Sequence, residues 1–342
     1  MRADLPSSTA AETTPDHDPH LCEAWFDLLR RTAISAAATV ELVPVGAADA
    51  PQAARLPLLR EPADAARVTA LSTFYTPIFA PLGVERVEQA ALTRCFEELR
   101  ARPGVAELRL APLDPQAPFF AMARQSLREA GWLVDDYFCF GNWHAELGDG
   151  GFDAYWAKRP SMLRHTAERA RKKLAAAPGF AIAVCDGGAE LETAIADFVL
   201  VYAHSWKQPE PWPRFIPELC RLAAARGWLR LGVLRLDGQA VASQLWLVCG
   251  DTAQIVKLAH DRAYDERSVG TVLTAHMMAH VIDRDRVRHL DFLIGDDAYK
   301  RDWTPLRRER WGIVAFNPRH LRGLAGAALH FAAHAAKRLL KR

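Results

Sequence analysis

Apolar residues recur along this chain with two spacings, and each change of spacing marks an element. From Leu21 to about Ala33, Leu21, Trp25, Leu28 and Leu29 form one helical stripe and predict an amphipathic opening helix. ATVELVPV and AARLPLLRE, around a turn containing Gly46 and Pro51, predict a strand pair, and LRLAPL and VDDYFCF predict two later strands. The helices VEQAALTRCFEELRA and FFAMARQSLREAG fall between them, the second stopped by Gly131. Further on, residues 180 to 186 read as a short strand. ELETAIADFVLVYAHSW then reads as a helix with Leu191, Ile195, Phe198, Val199 and Tyr202 inward.

The clearest pattern spans Trp228 to Lys300. Asp237-Gly238 and Gly250-Asp251 supply the positive φ angles of tight turns between WLRLGVLRL, AVASQLWLVC and TAQIVKLAH, so a three-stranded meander is expected. After His260 a polar loop leads into TVLTAHMMAHVIDR, whose Val272, Leu273, Met277 and Ile282 suit a helix lying on a sheet. RHLDFLIG must cross over that helix and is expected to run parallel to the third strand. It delivers Asp291 and then Gly295, Asp296, Asp297, Tyr299 and Lys300: acids, a phenol and an amine beyond a strand end.

Three stretches have compositions that periodicity does not explain. Leu71 to Gly83 carries three aromatics and two prolines and reads as a lid on a core or as a substrate-facing wall with Tyr75 as its polar handle. Trp206 and Lys207, at a helix end before a proline-rich loop, are placed to face a ligand. Between Lys158 and Lys173 lie Lys158, Arg159, Arg164, Arg169, Arg171, Lys172 and Lys173 against the single acid Glu168. Pro160 ends one short helix there, Ser161 is placed to cap the next, and Leu163, Ala167, Ala170 and Leu174 form its buried face. The opposite, cationic face reads either as a solvated surface or as a phosphate-binding one.

Length and charge bound these readings. A chain of 342 residues is long for one domain and comfortable for two. Alternating strands and helices indicate an α/β class with mixed, partly antiparallel sheets. Residues 1–20 read as a disordered leader, 21–148 as an N-terminal half, and 152–316 as a C-terminal half beyond the GDGG linker. Residues 317–342 read as a basic amphipathic helix suited to shallow contact with an anionic membrane. The 43 basic and 41 acidic residues leave +2, which excludes a global polyelectrolyte attraction to nucleic acid. Six scattered cysteines form no ligand spacing, so neither a metal nor a disulfide framework is expected, and the absence of a signal-peptide pattern suggests a cytoplasmic setting.

The segment LGVLRLDGQAVASQLWLVCGDTAQIVKLAHDRAYDERSVGTVL, with LDFLIGDDAYKRDW after it, resembles the acyltransferase domain of the GNAT superfamily found in CelD-like, cellulose-biosynthesis-associated proteins, related to FemAB-type transferases. FYTPIF, the junction containing Trp143 and Ser205-Trp206-Lys207 are similar to the same group. The resemblance implies two tandem GNAT-like halves and transfer of an acyl group from acetyl-CoA or another acyl-CoA to an amine or hydroxyl. It also implies that Arg267, Ser268, Val269, Gly270 and Thr271 form the cofactor loop. Val272 departs from that loop's pattern, which has a small residue there, and is expected to crowd the site.

Acyl transfer needs a proton acceptor for the nucleophile and a proton for the departing thiolate. Asp291 is the first candidate base and Asp296 the second; Tyr299 is the candidate acid, and Lys300 the candidate holder of an anionic group. Lys257 and His260 would bracket the same cleft, with His260 oriented by Asp261. The acceptor reads as a small molecule, glycan or peptide, with a place in exopolysaccharide or cell-envelope assembly. Two alternatives remain open: FemAB-like transfer from aminoacyl-tRNA, supported by the cationic helix, and a non-catalytic accessory module of a polysaccharide synthase.

Overall fold

The computed structural model describes residues 18–46 and 53–340. The leader expected over 1–20 therefore lies mostly outside the described residues, and so does the turn around Pro51. Its last three positions differ from that expectation. Asp18 accepts a hydrogen bond from the His20 backbone N–H, a short 3-10 turn covers Pro19–Leu21, and His20 is buried.

Helix α1 (Glu23–Thr32) precedes an antiparallel pair, β1 (Thr39–Val45) and β2 (Ala54–Arg60). A four-residue strand β3 (Arg67–Ala70) follows, then α2 (Gln89–Ala101), β4 (Glu107–Leu113), α3 (Pro118–Glu129) and the long β5 (Leu133–Glu146). The Gly-rich stretch 148–151 joins β5 to α4 (Gly151–Ala157), and α5 (Ser161–Ala175) follows. Ser161 does not cap α5: the capping position belongs to Pro160 and no side chain bonds the first-turn amides. The buried face of α5 is Ala167, Ala170 and Leu174, as its spacing predicts.

Next come β6 (Ala181–Cys185), α6 (Leu191–Ala203), α7 (Phe215–Ala225) and the meander β7 (Leu229–Leu236), β8 (Gln239–Cys249) and β9 (Thr252–His260). On α6, Val199 faces solvent with 47% exposure rather than the core. Helix α8 (Val269–Asp283) crosses over to β10 (His289–Asp291), which is parallel to β9 as the crossover requires. A short α9 (Lys300–Trp303), β11 (Leu306–Phe316) and α10 (Leu321–Leu340) complete the chain.

Among the described residues all strands belong to one mixed, 11-stranded sheet in the order β1-β2-β3-β4-β11-β5-β10-β9-β8-β7-β6. The last strand inserts between β4 and β5, antiparallel to both. One core takes residues from α1, α2, α3, α6 and α7, and a second takes residues from α4, α5 and α8, with Trp246 fully buried in it. Each such large apolar side chain contributes about 1.5–3 kcal/mol relative to exposure. Among the described residues no helix is long and apolar enough to cross a membrane.

Candidate active site

The sheet opens at its centre. β10 pairs with β9 only from Thr252 to Gln254, yet β9 continues to His260, so among the described residues the second half of β9 has a strand partner on one side only. A bulge adds to the divergence: Leu245 pairs with Lys257 and Trp246 with Ile255, leaving Val256 as the extra residue. Side chains from both faces of the sheet meet at this opening.

On the side of the second core, the loop after β9 runs into α8. Ser268 adopts a left-handed conformation (φ 53) at the helix start, and the first-turn amides have no partner inside the helix. Gly270 lies against His260: a Cβ there would meet its Nδ1 at 3.2 Å. The first turn is tied to the sheet by Gln244, buried on β8, whose amide donates to Gly270 O at 3.2 Å and to Thr274 Oγ1 at 2.8 Å. Val272 does not crowd these amides, because its side chain is buried against the sheet with 2% exposure. Val269 is likewise fully buried, so its backbone and not its side chain is available; Arg267 is exposed, with its guanidinium over the Tyr264 ring. First-turn amides not used inside the helix, at its dipole's positive end, fit an anionic pyrophosphate, while the missing Cβ of Gly270 makes room for the His260 ring.

His260 closes this side. Its Nε2 lies 2.8 Å from Asp265 Oδ1 and its ring packs on Trp206 with centroids 4.6 Å apart. The partner is thus Asp265 and not Asp261, which instead accepts from Ala263 N and faces His204 at 3.7 Å.

On the side of the first core, Tyr75, Glu210 and Lys257 form a compact polar group. Lys257 Nζ donates to Glu210 Oε1 at 2.6 Å, and the Tyr75 hydroxyl donates to Glu210 Oε2. The ammonium sits among three rings, 5.5 Å from Phe74, 5.2 Å from Tyr75 and 5.5 Å from Tyr202. Burial alone would raise the Glu210 pKa, but Lys257 and the tyrosine hydroxyls outweigh it and hold the carboxyl below its usual range. Burial and Glu210 push the Tyr75 phenol up, so it keeps its proton. Beside them Lys207 Nζ lies 5.8 Å from the centroids of both Tyr202 and Trp206. Tyr75, Trp206, Lys207, Lys257 and His260, scattered in sequence, therefore share one opening.

The acidic cluster at and beyond the end of β10 divides. Asp291 is 6% exposed and accepts from Asn142 Nδ2 at 2.5 Å, from Leu293 N at 2.6 Å and from Arg308. Burial raises its pKa, but Arg308, Asn142 and Arg310 prevail and keep the carboxyl ionised below its usual range. Lys300 is 5% exposed, and its ammonium donates to Ile294 O at 2.7 Å, Gly295 O at 3.2 Å and Asp297 at 3.2 Å. With its protons spent on that loop it positions the chain and has none left for a ligand. Asp296 pairs with Arg307, at 3.0 Å to Nε and 2.7 Å to Nη2, over Gly141, where a Cβ would meet both groups within 2.7 Å. Trp143 packs with the second core, whereas Tyr75 belongs to the first, and its indole lies beside the Asp296 carboxylate, which Arg307 and this indole help to hold below its usual range. Tyr299 is 48% exposed with its ring edge on Phe292; burial and Asp297 raise its pKa, so it too keeps its proton.

Sequence reasoning missed Glu210, Asp265, Asn142 and Arg308. Glu210 was visible as a lone acid among prolines in QPEPWP, and Arg308 as one of a basic run, but their partners are distant in sequence. Among the described residues no group of His, Cys, Asp or Glu is arranged to hold a metal ion.

No curated protein matches the chain in sequence. Among solved structures, FemX aligns at 11% identity over 89% of this chain and 94% of that one, with a TM-score of 0.60. The C-terminal domain of a protein given as a lysylphosphatidylglycerol synthetase from Agrobacterium fabrum aligns at 14% identity over 87% and 89%, with a TM-score of 0.55. A protein of unknown function from Bacteroides thetaiotaomicron aligns at 9% identity over 86% and 89%, with a TM-score of 0.55. At such identities the likeness concerns the fold. Residues 161–301 match the acetyltransferase (GNAT) domain family, and they span the basic helix, the meander, the loop into α8 and the strand beyond it. The segment that forms the second half of this opening is therefore the part of the chain that is similar to the GNAT acetyltransferase domain family.

Proposed function

We propose that the chain transfers an acyl group from acyl-CoA to an amine or hydroxyl acceptor at the opening between β9 and β10. The observation that carries this reading is the geometry of that opening: the unpaired amides of α8 lie on one side and a polar, aromatic-walled recess on the other. An acyl-CoA held by Gly270 and Thr271 amides would supply the thioester, whose attack by the acceptor releases CoA. His260, oriented through Nε2 by Asp265 and with Nδ1 toward the cleft, is the proton acceptor in this reading. Asp291 is displaced from that role because a carboxylate held ionised by three donors has little affinity for a proton at neutral pH. Tyr299, which keeps its proton, stabilises the departing thiolate by a hydrogen bond, and the thiolate takes its proton from solvent.

Calorimetry with acetyl-CoA and assay of free thiol against a panel of envelope amines and alcohols test the proposal. Binding in the micromolar range is expected. His260→Gln should lower turnover about 10²-fold with little change in acetyl-CoA affinity. No binding at millimolar acetyl-CoA would overturn the reading.

One observation favours a second donor. Lys158, Arg169, Arg171, Lys172 and Lys173 are exposed, and among the described residues none has a carboxylate within 4 Å. Such a face suits the aminoacyl-tRNA of FemAB-type transfer. tRNA binding that falls steeply with added salt, and is lost when these five are changed to Gln, would support it; binding unaffected by either would exclude that face.

A further inference from the structure

Three lysines lie near one another at the opening, Lys207 and Lys257 on the first-core side and Lys300 in the loop beyond β10, and they differ in how their charge is met. Lys257 is paired with Glu210 at 2.6 Å, and Lys300 is bonded to loop carbonyls and to Asp297 at 3.2 Å. Lys207 is half-buried and, among the described residues, has no carboxylate within 4 Å and no hydrogen-bond acceptor for its ammonium. Its neighbours are two ring faces, Tyr202 and Trp206, and the charges of Lys257 and Glu210 on one flank and Lys300 and Asp297 on the other. Lys257 is met by Glu210 and Lys300 by Asp297, so among the described residues Lys207 is the ammonium of the three that has no carboxylate in contact with it.

We propose that Lys207 is the seat of an anionic group, a carboxylate or a phosphate, carried by the acceptor, so that the acceptor is an acid or a phosphorylated compound rather than a neutral sugar or alcohol. This rests on the acyl-transfer reading for the word acceptor, but the anion seat itself does not. The location supports it. Lys207 is on the recess side, at the end of α6, whereas the helix amides suited to the donor's pyrophosphate lie across the opening at the start of α8. Trp206 is 53% exposed and offers a flat wall along which an elongated substrate could lie while its anion meets the ammonium. The energetics also agree. Burial, then Lys257, lowers the pKa of Lys207 to about 8, and Glu210 and Asp297 offset this only in part. An anion on it restores the proton, so binding should take up a proton above pH 8 and weaken as the pH rises further.

The test uses the intact chain and no assumed acceptor. Brief labelling with acetic anhydride, read at Lys207 by peptide mass spectrometry across pH, reports how much neutral amine is present. Lys207 should be modified with a midpoint near pH 8. Inorganic phosphate or acetate at millimolar concentration should slow its labelling about tenfold, while chloride at equal ionic strength leaves it unchanged. Whichever of the two protects better identifies the anion class. Protection by neither overturns the proposal. Calorimetry with acetyl-CoA on Lys207→Gln separates donor from acceptor: affinity within about twofold of the parent is expected, and a loss of about tenfold or more would assign Lys207 to a donor phosphate instead. Failure of the parent chain to bind acetyl-CoA, with phosphate protection intact, would remove the acyl-transfer reading and leave the anion seat standing.

Discussion

Asp291 shows how a side chain that looks reactive in sequence becomes a support in structure. Its two oxygens serve Asn142, Arg308 and the N–H of Leu293, and Asn142 in turn donates to Leu293 O at 2.8 Å. Leu293 is held at φ 51, a conformation that an L-residue with a branched side chain avoids, so the carboxylate fixes the strained start of the loop that carries Tyr299. Its folded pKa is depressed, so its stabilisation is present above the ordinary carboxylate value of about 4 and is lost as pH falls through the folded value. Asp291→Asn should therefore cost about 1–3 kcal/mol at neutral pH, less than the ~3–5 kcal/mol of a fully buried pair because Arg308 is 37% exposed. The gap between parent and variant should close below about pH 4. Urea midpoints at neutral and acid pH measure both. A variant as stable as the parent yet without turnover would return Asp291 to the role of base.

At the scale of elements, what was legible is what local spacing controls. The meander, its two turns, the crossover helix and the parallel return all carry their signal within a few residues, and the structure has them. Elements whose signal is short or shared were not legible. β3 is four residues, paired parallel to β4 and antiparallel to β2, and α7 begins inside a proline-rich loop that reads as a wall. β5 runs on through Phe140-Gly141-Asn142-Trp143-His144, where the composition suggested the end of a half. Val272 failed for a different reason. A loop motif says which residue is small but not which way its side chain points, and here the helix phase turns it to the core. The same logic of close approach applies to α10. A Cβ on Gly323 would sit 2.2 Å from Asn317 O and 2.8 Å from Ala106 O, both backbone atoms that cannot swing aside. Gly323→Ala should undock α10 at a cost of about 2–4 kcal/mol, beyond what an Ala gains in helix propensity. Faster amide exchange confined to residues 321–333 would show it; unchanged protection there would mean that the helix accommodates the methyl by shifting along β11.

For the whole molecule the decisive fact is the position of β11. The chain divides at residues 148–151 by composition, and the first four strands and β5 precede that point. β4 and β5 do not touch as neighbours, however, because β11, from the far end of the chain, lies between them and pairs with both. The polar bonds follow the same route: Arg310 of β11 donates to Asp114 at 2.8 Å, and Arg308 reaches Asn142 on β5 at 2.6 Å and Asp291 at the end of β10. Cutting the chain at the linker thus takes the strand that joins the first half's two parts and leaves it with the second half, while β10 loses β5. Each fragment would expose sheet edges and a core surface that the other covers, and exposed edges of this kind favour aggregation over folding. We expect residues 1–150 and 151–342 expressed separately to be insoluble or unfolded, and the two co-expressed to form a stable, non-covalent pair. The intact chain should melt in one transition, with tryptophan fluorescence and far-ultraviolet circular dichroism coincident. A cooperatively folded 1–150 fragment, or two separated transitions in the intact chain, would mean that the inserted strand is an addition to a first half able to fold alone, and not the element that makes one folding unit of both.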